Sequence, residues 1–131
     1  MPRVSAAFFA TGVVFVLTGM ALGMYMGAKE DFAFATVHAH LNLVGWVTMA
    51  LYGTFYALTR GTLSIPMAWV NYVLSLAGAL ILLPALTLFL SNGNDPKYVP
   101  FMVTGEVLTF LGMVTFAVSV FRELFRKRSA G

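Results

Sequence analysis

The stretch TVHAHLNLVGW, Thr36 to Trp46, places two histidines, an asparagine and a tryptophan inside an apolar run. From Phe32 to Leu58 that run contains no Lys, Arg, Asp or Glu. A helix needs about 20 such residues to cross a bilayer, so the segment reads as a membrane span. The same pattern recurs on either side of it. Uncharged or nearly uncharged runs cover roughly Val4–Gly27, Pro66–Leu90 and Tyr98–Phe121. The gaps AKED, TRGTLSI and SNGNDPK carry charge, Gly, Pro or Asn, the usual punctuation of loops. The fold class expected is all-α integral membrane, with four transmembrane helices at about 4–27, 32–58, 66–90 and 98–121 in a single domain, 1–131.

Composition agrees. Of 131 residues, 60% are hydrophobic and 10% charged, against about a quarter charged in a soluble domain. The mean hydropathy is +0.86. A β-barrel would show strands of about 10 residues with alternating polarity, and none is seen. The first span is too long for the apolar core of a signal peptide and lacks a small-residue cleavage site after it, so it reads as a retained helix. Lys and Arg set the orientation. Arg3, Arg60, Arg122, Arg126, Lys127 and Arg128 fall on one side of a four-span layout, and Lys29 and Lys97 on the other. The expectation is a bacterial inner membrane protein, multi-pass, with both termini cytoplasmic. The net charge of +3 is this topology signal and makes no case for nucleic acid. The tail RELFRKR reads as a juxtamembrane anchor, with anionic-lipid contact as its functional reading. There is no cysteine, which excludes disulfides, thiolate metal sites, iron–sulfur clusters and covalent c-type haem.

Gly19, Gly23 and Gly27, with Gly12 earlier in the same span, form a small-residue ladder that suits close helix packing. Met20, Met24 and Met26 beside it read as flexible apolar filler. In the third span Asn71, Ser75, Gly78 and Ala85 share a weakly polar face suited to the bundle interior. Trp46 and Trp69 read as packing aromatics, and Tyr52 and Tyr56 as polar residues lining the bundle.

The ionisable groups share one depth. His38 and His40 lie six and eight residues past Phe32, and Glu106 lies eight past Tyr98, roughly 10 Å below the same membrane face at 1.5 Å per residue. Such groups in a membrane face a protein interior or a cavity. On a regular helix positions i and i+2 stand ~200° apart, so His38 and His40 cannot chelate one ion together. His38 shares its face with Asn42, Gly45, Met49, Tyr52 and Tyr56. His40 shares its face with Val44, Val47, Leu51 and Phe55. A ring of identical subunits would use both faces, with a planar haem taking an axial histidine from each side. Gly45 would leave space for the macrocycle, and Asn42 would orient His38 by a hydrogen bond. Glu106 is a candidate proton carrier or supporting group.

The segment VHAHLNLVGWVTMALYGTFYAL resembles the second helix of subunit I in the haem–copper oxidase superfamily, which includes the nitric oxide reductases. The whole chain resembles short four-helix bacterial proteins related to that subunit. The match rests on His38, His40, Asn42, Gly45 and Trp46 and on the following YGTFY. Subunit I has twelve helices in three arcs of four, so the resemblance implies one arc of a haem-copper-oxidase-like ring, rebuilt as a homotrimer. It implies that His38 of one subunit and His40 of the next clamp one haem b. Nothing matches the family's three-histidine copper site or its cross-linked tyrosine, so enzymatic activity is left open. Electron transfer, or diatomic gas binding or sensing, is the function expected, with a quinone or a redox protein as candidate partner. Two other readings stand beside it. One is a copper or zinc binding or transport protein using His38, His40, Glu106 and the first-span methionines. The other is a structural or assembly protein without cofactor, whose histidines make interhelical hydrogen bonds.

Overall fold

The computed structural model describes residues 1–128; the last three residues of the expected domain lie outside the described residues. Four helices are long and apolar enough to cross a membrane. They are α1 (Arg3–Lys29), α2 (Ala35–Leu58), α3 (Ile65–Ser91) and α4 (Val99–Leu124), the last preceded by a short 3-10 turn at Pro96–Tyr98. Their bounds fall within three residues of those expected from the charge pattern.

The ends follow local chemistry. Glu30 adopts a left-handed conformation (φ 51°) after α1. Its N–H donates to the Gly27 carbonyl, and that of Asp31 to the Met26 carbonyl, the pair of bonds that closes a Schellman stop. Proline stands in the first turn of both α3 and α4, where no helical donor is lost.

The core has two welded contacts. Between α3 and α4, glycines bring the backbones together: a Cβ added at Gly105 would sit 2.6 Å from the Leu82 nitrogen, and one at Gly78 would sit 2.8 Å from the Thr109 nitrogen. Between α1 and α2, Gly12 faces Trp46 and Gly23 faces His38, whereas Gly27 meets nothing within 4 Å. The ladder of small residues on α1 is therefore used in part only. Asn71, Ser75, Gly78 and Ala85 on α3 are all buried, as their shared face implied. Asn71 Nδ2 donates to the Tyr56 hydroxyl at 3.0 Å, and Ser75 Oγ donates to Asn71 Oδ1 at 2.9 Å. Around them pack Phe8, Tyr52, Tyr56, Tyr72 and Phe116, with ring centroids 4.6–6.1 Å apart, the spacing at which edge and offset aromatic contacts stabilise.

One feature of α2 departs from a regular helix. Leu41–Val47 is a π-helix, with i→i+5 bonding and a wider turn. Thr48 closes it: both its N–H and its hydroxyl donate to the Leu43 carbonyl. Val37, Leu41, Gly45 and Met49 are buried at a constant spacing of four. In a regular helix that row would drift by about 40° per step; the π turns hold it against the neighbouring helices. The His40 face is corrected accordingly. It continues through Val44 to Thr48 and Tyr52, while Val47 and Leu51 stay exposed.

Gly105→Leu is expected to separate α3 from α4 and to cost about 1–3 kcal/mol or more, read as earlier unfolding in a detergent thermal melt. Gly27→Ala is expected to leave the melt unchanged.

Candidate functional site

The two histidines sit on opposite sides of α2. His38 faces α1. Its Nδ1 lies 2.7 Å from the Gly19 carbonyl oxygen. A carbonyl only accepts, so Nδ1 carries the proton and Nε2 the lone pair. That lone pair accepts from Asn42 Nδ2 at 3.2 Å. The ring rests on Gly23, where an added Cβ would meet it at 2.8 Å. Asn42 Oδ1 is buried and has no partner among the described residues.

His40 faces α4. Its Nδ1 lies 2.8 Å from the Thr36 carbonyl oxygen, which again fixes the proton on Nδ1. Its Nε2 has no hydrogen-bond partner among the described residues, and His40 lines a cavity of about 340 Å³ between α2, α3 and α4. Val44, Leu82 and Phe110 give the cavity apolar walls, and Glu106, Met113, Thr48, Thr109 and Tyr52 complete it. Most of these polar groups are already engaged. Thr48 donates to the Leu43 carbonyl, Thr109 to the Gly105 carbonyl, and the Tyr52 hydroxyl lies 3.6 Å from Met113 Sδ. The spare polar capacity is thus one imidazole nitrogen and one carboxyl group. Glu106 is exposed on α4 and open to the flank of the bundle.

The expected depth thus brings His40 and Glu106 to one cavity and leaves His38 out of it. Asn42 does touch His38, but at Nε2, the nitrogen a metal would take. The expectation that Gly45 leaves room for a macrocycle is corrected: Phe15 fills that space, with its Cβ 2.7 Å from where a Gly45 side chain would begin. Among the described residues no three His, Cys, Asp or Glu side chains converge as a metal cage. Met20 and Met24 point outward and Met26 is buried, so the methionines of α1 do not join His40 and Glu106. A second, larger cavity of about 600 Å³ between α1, α2 and α3 is walled by Phe15, Leu22, Leu41, Leu83 and Pro84 and contains no titratable group.

Sequence reasoning missed Thr48, Tyr52 and Met113 as cavity walls, because the π turns rotate the first two onto the His40 face. It also missed the Thr36 and Gly19 carbonyls as the groups that fix both imidazoles. The glycine ladder carried that second signal, since a ring can seat on α1 only where side chains are absent.

Replacing His38 by Leu is expected to destabilise the chain by about 1–3 kcal/mol, because Asn42 then loses its one partner in a buried setting. His40→Leu is expected to shift the same detergent melt by less than about 0.5 kcal/mol. Comparison with family models, with curated proteins and with solved structures finds no match for this chain.

Proposed function

We propose that the chain is an integral membrane protein that holds a b-type haem through histidines of α2 at contacts between identical subunits, and that it transfers electrons or binds a diatomic gas. One observation carries the reading: His40, which lines a largely apolar cavity, has its Nδ1 proton committed to a backbone carbonyl and its Nε2 without a partner among the described residues. Metal-binding histidines are oriented this way, with the second nitrogen held by a carbonyl or carboxylate.

The residues fit the group at His40, where the cavity opens to the flank of the bundle, and not deeper in the chain. Phe15 fills the space at Gly45, and Gly23 and Asn42 enclose the His38 ring. The haem is therefore shared between copies. His40 of one copy and His38 of a neighbouring copy would hold it, the latter with its Nε2 released from Asn42, and the group would supply one-electron redox chemistry there. Glu106 supports the assembly reading, since an exposed carboxyl group on a membrane span is costly until protein or water covers it. A homotrimer, the arrangement implied by the resemblance to one arc of haem–copper oxidase subunit I, covers it. The six-to-two imbalance of basic residues supports cytoplasmic termini in a bacterial inner membrane. A quinone or a redox protein would serve as electron partner.

A second reading has its own observation. His40, Glu106 and Met113 line one cavity, a donor set that suits a copper ion.

Absorption spectra of the purified protein, oxidised and dithionite-reduced, test both. The expected result is a reduced six-coordinate b-type spectrum that is abolished in His40→Ala and altered in His38→Ala. A spectrum that shifts with carbon monoxide identifies an open iron and selects gas binding. A colourless protein, produced with ample haem, overturns the haem reading, and stoichiometric copper in that same sample establishes the second one.

A further inference from the structure

We propose that the end of the bundle carrying both termini holds a built site for the phosphate headgroup of an anionic phospholipid, in the groove between Phe55 of α2 and the segment that follows α4. The site rests on the membrane placement proposed above and is independent of the haem.

The groove has a volume of about 250 Å³ and is lined by Phe55, Val120, Glu123, Leu124, Arg126 and Arg128. Its chemistry is divided. Phe55, Val120 and Leu124 make an apolar wall that continues along α2 and α4 toward the middle of the bundle. Arg126 and Arg128 stand past the last residue of α4, Leu124, where the chain leaves helical geometry and still borders the same groove as Phe55. A phospholipid has this division: a phosphate at the level of the bundle end and acyl chains running inward.

The charges do not cancel within the chain. Glu123 is the one acid in the groove, and both its oxygens are engaged. Thr62 Oγ1 donates to Oε2 at 2.6 Å, and Arg126 Nε lies 3.6 Å from Oε1. The outer guanidinium nitrogens of Arg126 have no hydrogen-bond or ion-pair partner among the described residues, and Arg128 has no ion pair there. A guanidinium recognises phosphate through paired N–H donors. Basic residues also complement the negative end of a helix dipole, but that effect fades beyond the last turn, and Arg128 lies four residues past it. The Glu123–Thr62 bond ties the loop after α2 to α4, which fixes Glu123 at the edge of the groove.

The test titrates the purified protein, in neutral detergent, with phosphatidylglycerol and in parallel with phosphatidylcholine, and counts bound lipid by native mass spectrometry. Phosphatidylglycerol is expected to bind the more tightly. Arg128→Gln, which breaks no ion pair among the described residues, is expected to weaken it about fivefold, and R126Q/R128Q by a similar factor again. Arg60→Gln, an exposed cation at the same end, is expected to leave binding unchanged. Equal binding of the two lipids, no effect of Arg128→Gln, or an equal loss in Arg60→Gln overturns the proposal. Displacement of the lipid by an equal concentration of inorganic phosphate also overturns it, in favour of a bare anion site. Alkaline carbonate extraction of expressing membranes reads the membrane placement separately.

Discussion

The His38 imidazole, bonded to the Gly19 carbonyl and seated on Gly23, sets the rotation of α2 against α1, and the arrangement of the site follows from it. With His38 turned to α1, His40 must point to the opposite side, because two residues of helix turn the chain by ~200°. On that side it borders α4 and Leu82 of α3. A side chain at Gly23 would push the ring out of its seat, and one at Gly19 would meet Asn42 and Leu41, so the small residues of α1 and the His38–Asn42 pair of α2 are two halves of one contact. The buried Asn42 amide adds to the same constraint. Its N–H is satisfied by His38, and its carbonyl oxygen has no partner among the described residues, the kind of polar remainder that costs about 1–3 kcal/mol.

The bundle is packed unevenly along its length. Toward the end that carries the termini, Phe8, Tyr52, Tyr56, Tyr72 and Phe116 interlock around a satisfied chain of hydrogen bonds through Tyr56, Asn71 and Ser75. Toward the other end two cavities lie between the helices, while Gly105 still holds α4 against Leu82 of α3. The π turns lie at this transition. They widen α2 where it passes Gly45 and Phe15 and rephase it so that Met49, Tyr52 and Tyr56 enter the aromatic core. Such turns recur at functional positions, and here one adjoins both histidines. The tight half holds the geometry, and the loose half leaves a nitrogen and a carboxyl group unspent.

Much of this was legible in the sequence. Four uncharged or nearly uncharged runs separated by short polar gaps specify four helices, since backbone groups in an apolar setting are satisfied most simply by helical bonding. The polar stripe of Asn71, Ser75, Gly78 and Ala85 was legible because a helix interior repeats every three to four residues. The opposite faces of His38 and His40 and the common depth of His40 and Glu106 follow from rise and turn alone. All of these are local properties, fixed by spacing along one chain.

What the sequence could not supply are the contacts between spans. No local pattern announced the π turns, because their hydrogen-bond register is stabilised by the fit of Val37, Leu41, Gly45 and Met49 against other helices and by the double donation from Thr48. No pattern said that Phe15 would occupy the space at Gly45, or that Asn42 would meet Nε2 of His38 in place of Nδ1. The sequence determined the number of helices, their ends to within three residues and the buried face of α3, since those depend on hydrophobicity and helical period. The tertiary structure decided which face meets which neighbour and which imidazole keeps a free nitrogen, since that depends on how side chains fill the volume between helices.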